Sequence, residues 1–124
     1  MDNENKREIR DAAGGVARVV TVHDGGVTGE QVKAWKGEYR KVHVIEVEDD
    51  GELFVGYFRR PSMETLSAVT RLSKADEVKG SGVLFDNCWL GGSPVMKSDA
   101  VVYLAALRQL GAMLEGTVSA LKNA

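Results

Sequence analysis

The chain has one cysteine, no long apolar run and no excess of charge of one sign, and each absence excludes a class of protein. With Cys88 alone, an internal disulfide cannot form, which is typical of a reducing compartment. No stretch approaches the roughly 18 apolar residues of a membrane-spanning helix. The N-terminus, Met-Asp-Asn-Glu-Asn-Lys-Arg, lacks the apolar segment of a signal peptide. We therefore expect a cytoplasmic protein with no membrane partner.

Charge is nearly balanced along the sequence. Lysine and arginine total 16, aspartate and glutamate total 18, and the formal net charge is −2. A protein that neutralises nucleic-acid phosphates needs a surplus of basic residues, so we expect no nucleic-acid partner. Apolar residues make up 44% and charged residues 27% of the 124 positions, which is typical of one soluble domain.

Residues 41–60 carry the clearest structural pattern. Residues 41–48 and 52–60 have the composition of strands, and the Asp-Asp-Gly sequence at 49–51 favours a tight turn between them. Apolar side chains fall on both faces of this hairpin, and an isolated hairpin is only marginally stable in water. We therefore expect helices or another chain to cover more than one of its sides.

The segments before the hairpin predict less structure. Residues 1–12 are polar and predict a mobile segment or a frayed helix. Residues 16–22 are β-branched and could form a strand. Thr28 and Gln31 have the spacing of a capped helix start, so a short helix is expected there.

The segments after the hairpin predict helices. An apolar stripe predicts a helix that faces the core, and Lys-Gly-Ser-Gly at 79–82 predicts its end. Residues 83–90 predict one or two further helical turns, and the longest helix is expected from residue 98 or 99 to about residue 122. The stripe consists of Met63, Leu66, Val69 and Leu72.

Together these elements predict an α+β protein. The expected core is a small antiparallel sheet around the central hairpin, followed by helices that include a long C-terminal one. The sequence leaves open whether an N-terminal segment adds a third strand to this sheet. Residues 28–124 are predicted to form the single domain, and residues 1–27 an extension that is either mobile or contributes one strand.

No group of residues in the sequence predicts catalysis. A cysteine nucleophile needs a base such as histidine, and the histidines are His23 and His43 only. Because free cysteine is usually a small buried side chain, we expect Cys88 in the core and His43 half-buried in its strand. The acidic residues at 46–52 fit a solvated turn better than a cation site. We expect no metal, no cofactor and no enzymatic activity.

The C-terminal helix is the strongest candidate for a functional surface. It carries two adjacent apolar stripes, whereas an ordinary surface helix needs one. Either the helix is buried wholly within the domain, or its second stripe binds a partner, and the sequence favours neither. The predicted partner-binding residues are Tyr103, Leu104, Leu107, Leu110, Gly111, Met113, Leu114 and Val118.

Residues 30–122 resemble a known family. The features that carry the resemblance are Gln-Val-Lys-Ala-Trp-Lys at 31–36, Gly-Tyr-Phe-Arg-Arg-Pro at 56–61, Leu-Phe-Asp-Asn-Cys-Trp-Leu-Gly-Gly at 84–92 and a terminal Leu-Lys-Asn. Their order is similar to that of tail assembly chaperones of tailed phages and prophages. The resemblance implies a non-catalytic protein of the bacterial host cytoplasm. It would shield the apolar, helix-rich tape measure protein, or bind other phage tail proteins, without a cofactor.

Two other functions remain open from the sequence. The protein could be a structural phage or prophage component that forms a homo-oligomer through its C-terminal helix. A structural component would stay in purified particles, whereas a chaperone would be absent from them. The third alternative is a small cysteine-dependent enzyme that uses Cys88.

Overall fold

The protein is an α+β fold, seen here in a computed structural model that describes residues 5–115 and 121–123. The predicted order, a sheet with a central hairpin followed by helices, is confirmed. The elements are β1 (Asn5–Arg10), β2 (Val16–His23), α1 (Gly29–Glu38), β3 (Val42–Asp49), β4 (Glu52–Arg59), α2 (Met63–Ala75), α3 (Glu77–Cys88), β5 (Trp89–Gly92), α4 (Val95–Ser98) and α5 (Ala100–Glu115).

The sheet is centred on β4. On one side β4 pairs antiparallel with β3 along its whole length, as predicted. On the other side it pairs with β2 and then with β5, and the β2 pairing is parallel, so the sheet is mixed rather than purely antiparallel. The hairpin turn has positive φ at Asp50 and Gly51, 50° and 82°, which is the two-residue turn that suits the twist of a hairpin.

The N-terminal segment forms two strands. β1 pairs antiparallel with β2, so the prediction of a mobile or frayed segment is wrong for Asn5–Arg10. Arg7 donates to Glu46 at 2.8 Å, and Arg18 donates to both carboxylate oxygens of Glu48 at 2.6 and 2.7 Å. Both glutamates lie on β3, and β4 lies between β3 and β2 in the sheet. The β1–β2 hairpin therefore bends across one face of the sheet, and its ion pairs use acidic residues predicted to be solvated.

Each face of the sheet has its own apolar cluster. Under the β1–β2 hairpin, Val20 packs with Leu53 and Val55, all at most 5% exposed. The opposite face carries the main core, which joins β3 and β4 to the last three helices. Its buried members are Ile45, Phe54, Phe58, Leu84, Phe85, Cys88, Met96, Val102, Ala106 and Leu110.

Helix α3 begins earlier than the sequence predicts. It starts at Glu77, so the glycines of residues 79–82 lie inside it rather than ending a helix. Gly80 is buried against α2, where a Cβ would overlap the hydroxyl of Ser73. Glycine is thus required by the close approach of α2 and α3, and that contact outweighs its low helix propensity.

The predicted core stripe of α2 is largely at the surface. Met63 is 82% exposed and Leu66 38% exposed, whereas Thr65 is the buried residue of this helix. Val69 alone of the stripe packs against the main core from a half-buried position. The prediction is wrong for Met63 and Leu66 because α2 packs mainly on α3 rather than on the sheet.

The chain after α3 also departs from the prediction. Residues 89–92 form a strand beside β4, where the sequence predicts the end of a short helix. Helix α5 is described to Glu115, and residues 121–123 have no regular structure, so the predicted helix does not extend to residue 122. The predicted contact residue Val118 lies outside the described residues.

Candidate functional site

Helix α5 buries one of its two apolar stripes. Val102, Ala106 and Leu110 recur every four residues and are at most 1% exposed, because this spacing keeps side chains on one face of a helix. Tyr103, one of the predicted partner-binding residues, packs on Phe85 with ring centroids 4.7 Å apart. The sheet and α3 therefore cover this face, and the opposite face is left at the surface.

The predicted partner-binding residues divide between core and surface. Leu104 is 49% and Leu114 38% exposed. Tyr103, Leu107 and Met113 are half-buried against the core. Gly111 is half-buried and has open space around its Cβ position. Leu110 is fully buried, so a partner that approaches from solvent cannot reach it, and it is not part of the candidate surface.

The exposed part of α5 forms one wall of an apolar groove, and the start of α3 forms the other. The groove encloses about 380 Å³ and opens to solvent. Val78, on α3, is 81% exposed. Val101, in the first turn of α5 but outside the lining of the groove, is 72% exposed. Sequence reasoning missed both, since it placed the start of α3 after Val78 and did not include Val101 among the partner-binding residues. The groove is lined by Glu77, Val78, Ser81, Ala100, Tyr103, Leu104 and Leu107.

Two aspartate caps fix where the walls of the groove begin. The side chain of Asp76 accepts hydrogen bonds from the backbone N–H groups of Val78 and Lys79, at 3.0 and 3.3 Å. Asp99 likewise accepts from Val101 and Val102, at 2.9 and 3.1 Å. A side-chain cap satisfies N–H groups that have no partner within the helix. The exposed valines thus sit in capped first turns, next to negative charge.

Tyr103 forms the floor of the groove with its ring and offers a hydroxyl. Burial, with a smaller contribution from the negative charge of Asp86, raises the pKa of Tyr103 above its ordinary value. The phenol therefore stays protonated at neutral pH and can donate one hydrogen bond. The groove combines apolar walls with one neutral donor and the carboxylate of Glu77, an arrangement suited to an apolar segment rather than to an anion.

Cys88 is a core residue, as predicted. It is 0% exposed, and burial raises its pKa to about 11, although the charge of Arg59 opposes this shift. A nucleophilic cysteine acts as the thiolate, whereas this thiol is protonated at neutral pH. The two histidines have other neighbours: His23 lies 3.1 Å from Glu52, and His43 accepts from the Nε of Arg60 at 3.3 Å.

His43 gives the fold a pH dependence. It is half-buried as predicted, and burial followed by the charges of Arg60 and Lys41 lowers its pKa below 6.5. Between the lowered pKa and 6.5 the folded protein binds fewer protons than the unfolded chain, so stability is lost as pH falls through this window. In urea unfolding measured from about pH 7.5 to about pH 5, we expect His43→Gln to show a smaller loss than the wild type. An equal loss in both proteins would contradict this assignment.

Residues 5–115 and 121–123 contain neither a metal-binding cluster nor a membrane-spanning helix. No group of three or more His, Cys, Asp or Glu side chains in these ranges is arranged to hold a metal ion. No helix within them is long and apolar enough to cross a membrane. Comparison with known proteins finds no matching family model, curated protein or solved structure. The function is therefore argued from the surface of the chain itself.

Proposed function

We propose that the protein is a non-catalytic binding protein that holds an apolar helix of another polypeptide in the groove between α3 and α5. The observation that carries this proposal is the cluster of exposed apolar side chains at the groove. Val78 and Leu104, which line the groove, are 81% and 49% exposed. Contiguous apolar surface of this kind marks an interaction site more often than isolated exposed residues do.

The shape of the groove favours a helix as its occupant. It runs between two helix surfaces, and a third helix can lay its apolar face along such a channel. Sites for small molecules usually enclose the ligand and present several converging polar groups. This groove is open and its lining is mainly apolar. The acidic residues at the helix starts, Asp76, Glu77 and Asp99, favour a partner with basic residues beside its apolar face.

The resemblance to tail assembly chaperones gives the partner a more specific description. A tape measure protein is long, helical and apolar, so it would present many faces that suit this groove. Shielding such a protein until tail subunits surround it requires reversible apolar contact and no chemistry. The protonated, buried thiol of Cys88 is consistent with this role. We therefore propose a phage-type tail assembly chaperone.

A second candidate is a structural phage component that self-assembles through α5. The exposure of Leu104 and Leu114 on one helix favours it, since the two side chains could meet the same residues of another copy. The two candidates differ in where the protein is found. A chaperone is expected to be absent from purified particles, and a structural component is expected to be present in them.

The groove can be tested with carboxylates placed among its apolar side chains. We expect Val78→Asp combined with Leu104→Asp to reduce co-purification with the co-expressed tape measure protein by at least about tenfold, because an unpaired charge would be buried on binding. The tape measure gene would be the long, helix-rich reading frame beside this one.

Met63→Asp is the matched control for this experiment. Met63 is 82% exposed, close to the 81% of Val78, and also lies in the first turn of a helix, but on α2. The control is expected to keep both partner binding and stability. Full co-purification by the groove variant would disprove the proposed site, and so would an equal loss in the control.

A further inference from the structure

We propose that the outer edge of β3 is a homodimer interface, at which β3 pairs antiparallel with β3 of a second copy about a two-fold axis at Ile45. The two sheets would then join into one continuous sheet. This edge lies on a different element from the groove between α3 and α5. The dimer and the groove are therefore separate proposals, and either can fail without the other.

The outer edge of β3 has no strand beside it among the described residues. β3 pairs with β4 alone, without a bulge from Val42 to Asp49. Proteins usually protect a free edge by shortening the strand, by placing proline, a bulge or charged residues in it, or by covering it with a helix or loop. β3 has eight residues, with no proline and no bulge, and the charges of Glu46 and Glu48 are already paired with Arg7 and Arg18. Its edge is thus available to another strand.

The register of the hairpin determines which backbone groups point outward. Residues that flank a two-residue turn form a hydrogen-bonded pair, and bonded and non-bonded pairs alternate from there. Val44 and Glu46 fall on non-bonded positions, so their N–H and C=O groups face away from β4. The hydrogen bond of Val55, which lies opposite Glu46 on β4, supports this assignment. Its carbonyl accepts from the N–H of Ser93 at 2.9 Å, so it points away from β3, as expected at a non-bonded position.

Charge identifies a second copy as the partner. The chain entering β3 is basic at Arg40 and Lys41, and its exit is acidic at Asp49 and Asp50. An antiparallel pair centred on Ile45 sets Lys41 opposite Asp49 of the second copy, at the ends of the ladder, and extends toward Arg40 and Asp50 just beyond the strand ends. Two-fold symmetry repeats this arrangement. Opposite charges that face each other across a ladder stabilise it, so β3 is complementary to its own reversed sequence.

The charges also favour this register over the one shifted toward the turn. Moving the axis by one residue toward the turn would set Glu46 opposite Glu46, and like charges in that arrangement are destabilising. In the proposed register Glu46 faces Val44, which is 52% exposed and would be covered. Arg7 and Arg18 already neutralise Glu46 and Glu48 within each copy, which lowers the repulsion between the two sheets.

A groove beside this edge leaves room for the second copy. It encloses about 530 Å³ between β3 and the later part of α5. Its lining is both polar and apolar, which is typical of the rim of a protein interface rather than of its centre. The residues that line it are His43, Val44, Ile45, Glu46, Arg60, Gln109, Ala112 and Met113.

The first test is Val44→Pro. Proline removes an outward N–H and leaves the bonds to β4 in place, since edge strands accept proline where the N–H faces solvent. Sedimentation equilibrium is expected to show a concentration-dependent dimer for the wild type and only monomer for Val44→Pro. Far-UV circular dichroism should remain that of the wild type.

The second test is a charge swap, which also guards against a proline variant that fails to fold. Lys41→Glu and Asp49→Lys are each expected to weaken dimerisation by at least about tenfold, because each creates two like-charge pairs. The double variant restores opposite charges across the axis and should recover most of the affinity. Lys33→Glu on α1 is the matched control, with the same charge change at an exposed site away from β3.

Three results would overturn the proposal. A wild type that stays monomeric at every concentration would mean that another segment or a different protein covers the edge, or that nothing does. A dimer that survives Val44→Pro but is lost in Leu104→Asp would place the interface on α5. Single charge variants whose double variant shows no recovery would exclude the antiparallel register centred on Ile45.

Discussion

Gly25→Ala is expected to destabilise the protein by about 3 kcal/mol or more, whereas Gly26→Ala is expected to cost only about 1 kcal/mol. Both glycines have positive φ, 68° and 77°, so a side chain is strained at either position. They differ in the space around them. A Cβ at Gly25 would overlap the backbone carbonyl of Gly92, and a Cβ at Gly26 would meet nothing within 4 Å.

The comparison isolates one contact, because the two positions are neighbours and the substitution is the same. Gly25 follows β2, and Gly92 ends β5, so their close approach joins two strands that both pair with β4. The Cβ and the carbonyl of Gly92 are both attached directly to backbone, so neither can rotate away as the end of a long side chain would. Urea unfolding followed by tryptophan fluorescence measures the difference. Equal losses of stability in the two variants would show that this approach does not constrain the fold.

Phe85→Ala is expected to lower the free energy of unfolding by about 4 kcal/mol, the range found when a large aromatic is removed from a core. Phe85 is 0% exposed. Its ring lies edge-on to Phe58 at 5.2 Å between centroids, stacks on Trp89 at 5.6 Å and contacts Tyr103. The substitution therefore removes packing between α3, β4, β5 and α5 at the same time.

Val78→Ala is the control for this prediction. It shortens an apolar side chain on the same helix, but at a site 81% exposed, where a change of less than about 0.5 kcal/mol is expected. Phe85→Leu should fall between the two, since it keeps an apolar side chain but loses the ring contacts. A loss below about 1.5 kcal/mol for Phe85→Ala would mean that the core closes over the cavity or is packed differently.

The sequence predicted elements whose cause is local. The hairpin of β3 and β4 follows from Asp50 and Gly51, which favour the turn, and from alternating apolar residues beside it. The start of α1 follows from Thr28, whose side chain accepts from the N–H of Gln31 at 3.2 Å. In each case the residues that determine the structure lie within a few positions of one another.

The sequence-based prediction failed where contacts between residues far apart in the chain determine the structure. Arg7 on β1 pairs with Glu46, 39 positions away, and no local pattern reveals that contact. The glycines within α3 look like a break until Gly80 is seen against Ser73. Two apolar stripes on α5 could be read from the sequence, but which of them faces the sheet depends on α3 and β3. The prediction therefore combined Leu110, which is buried, with Leu104, which is exposed.

The ion pairs of Arg7 and Arg18 with β3 also have a consequence for synthesis. The first two strands are translated before Glu46 and Glu48, and contacts between distant positions form only after the intervening chain is available. The earliest part of the nascent chain is thus anchored only when a later part has been made. A chain released before codon 46 would lack the partners of both arginines, and also the strand β4 on which β2 pairs.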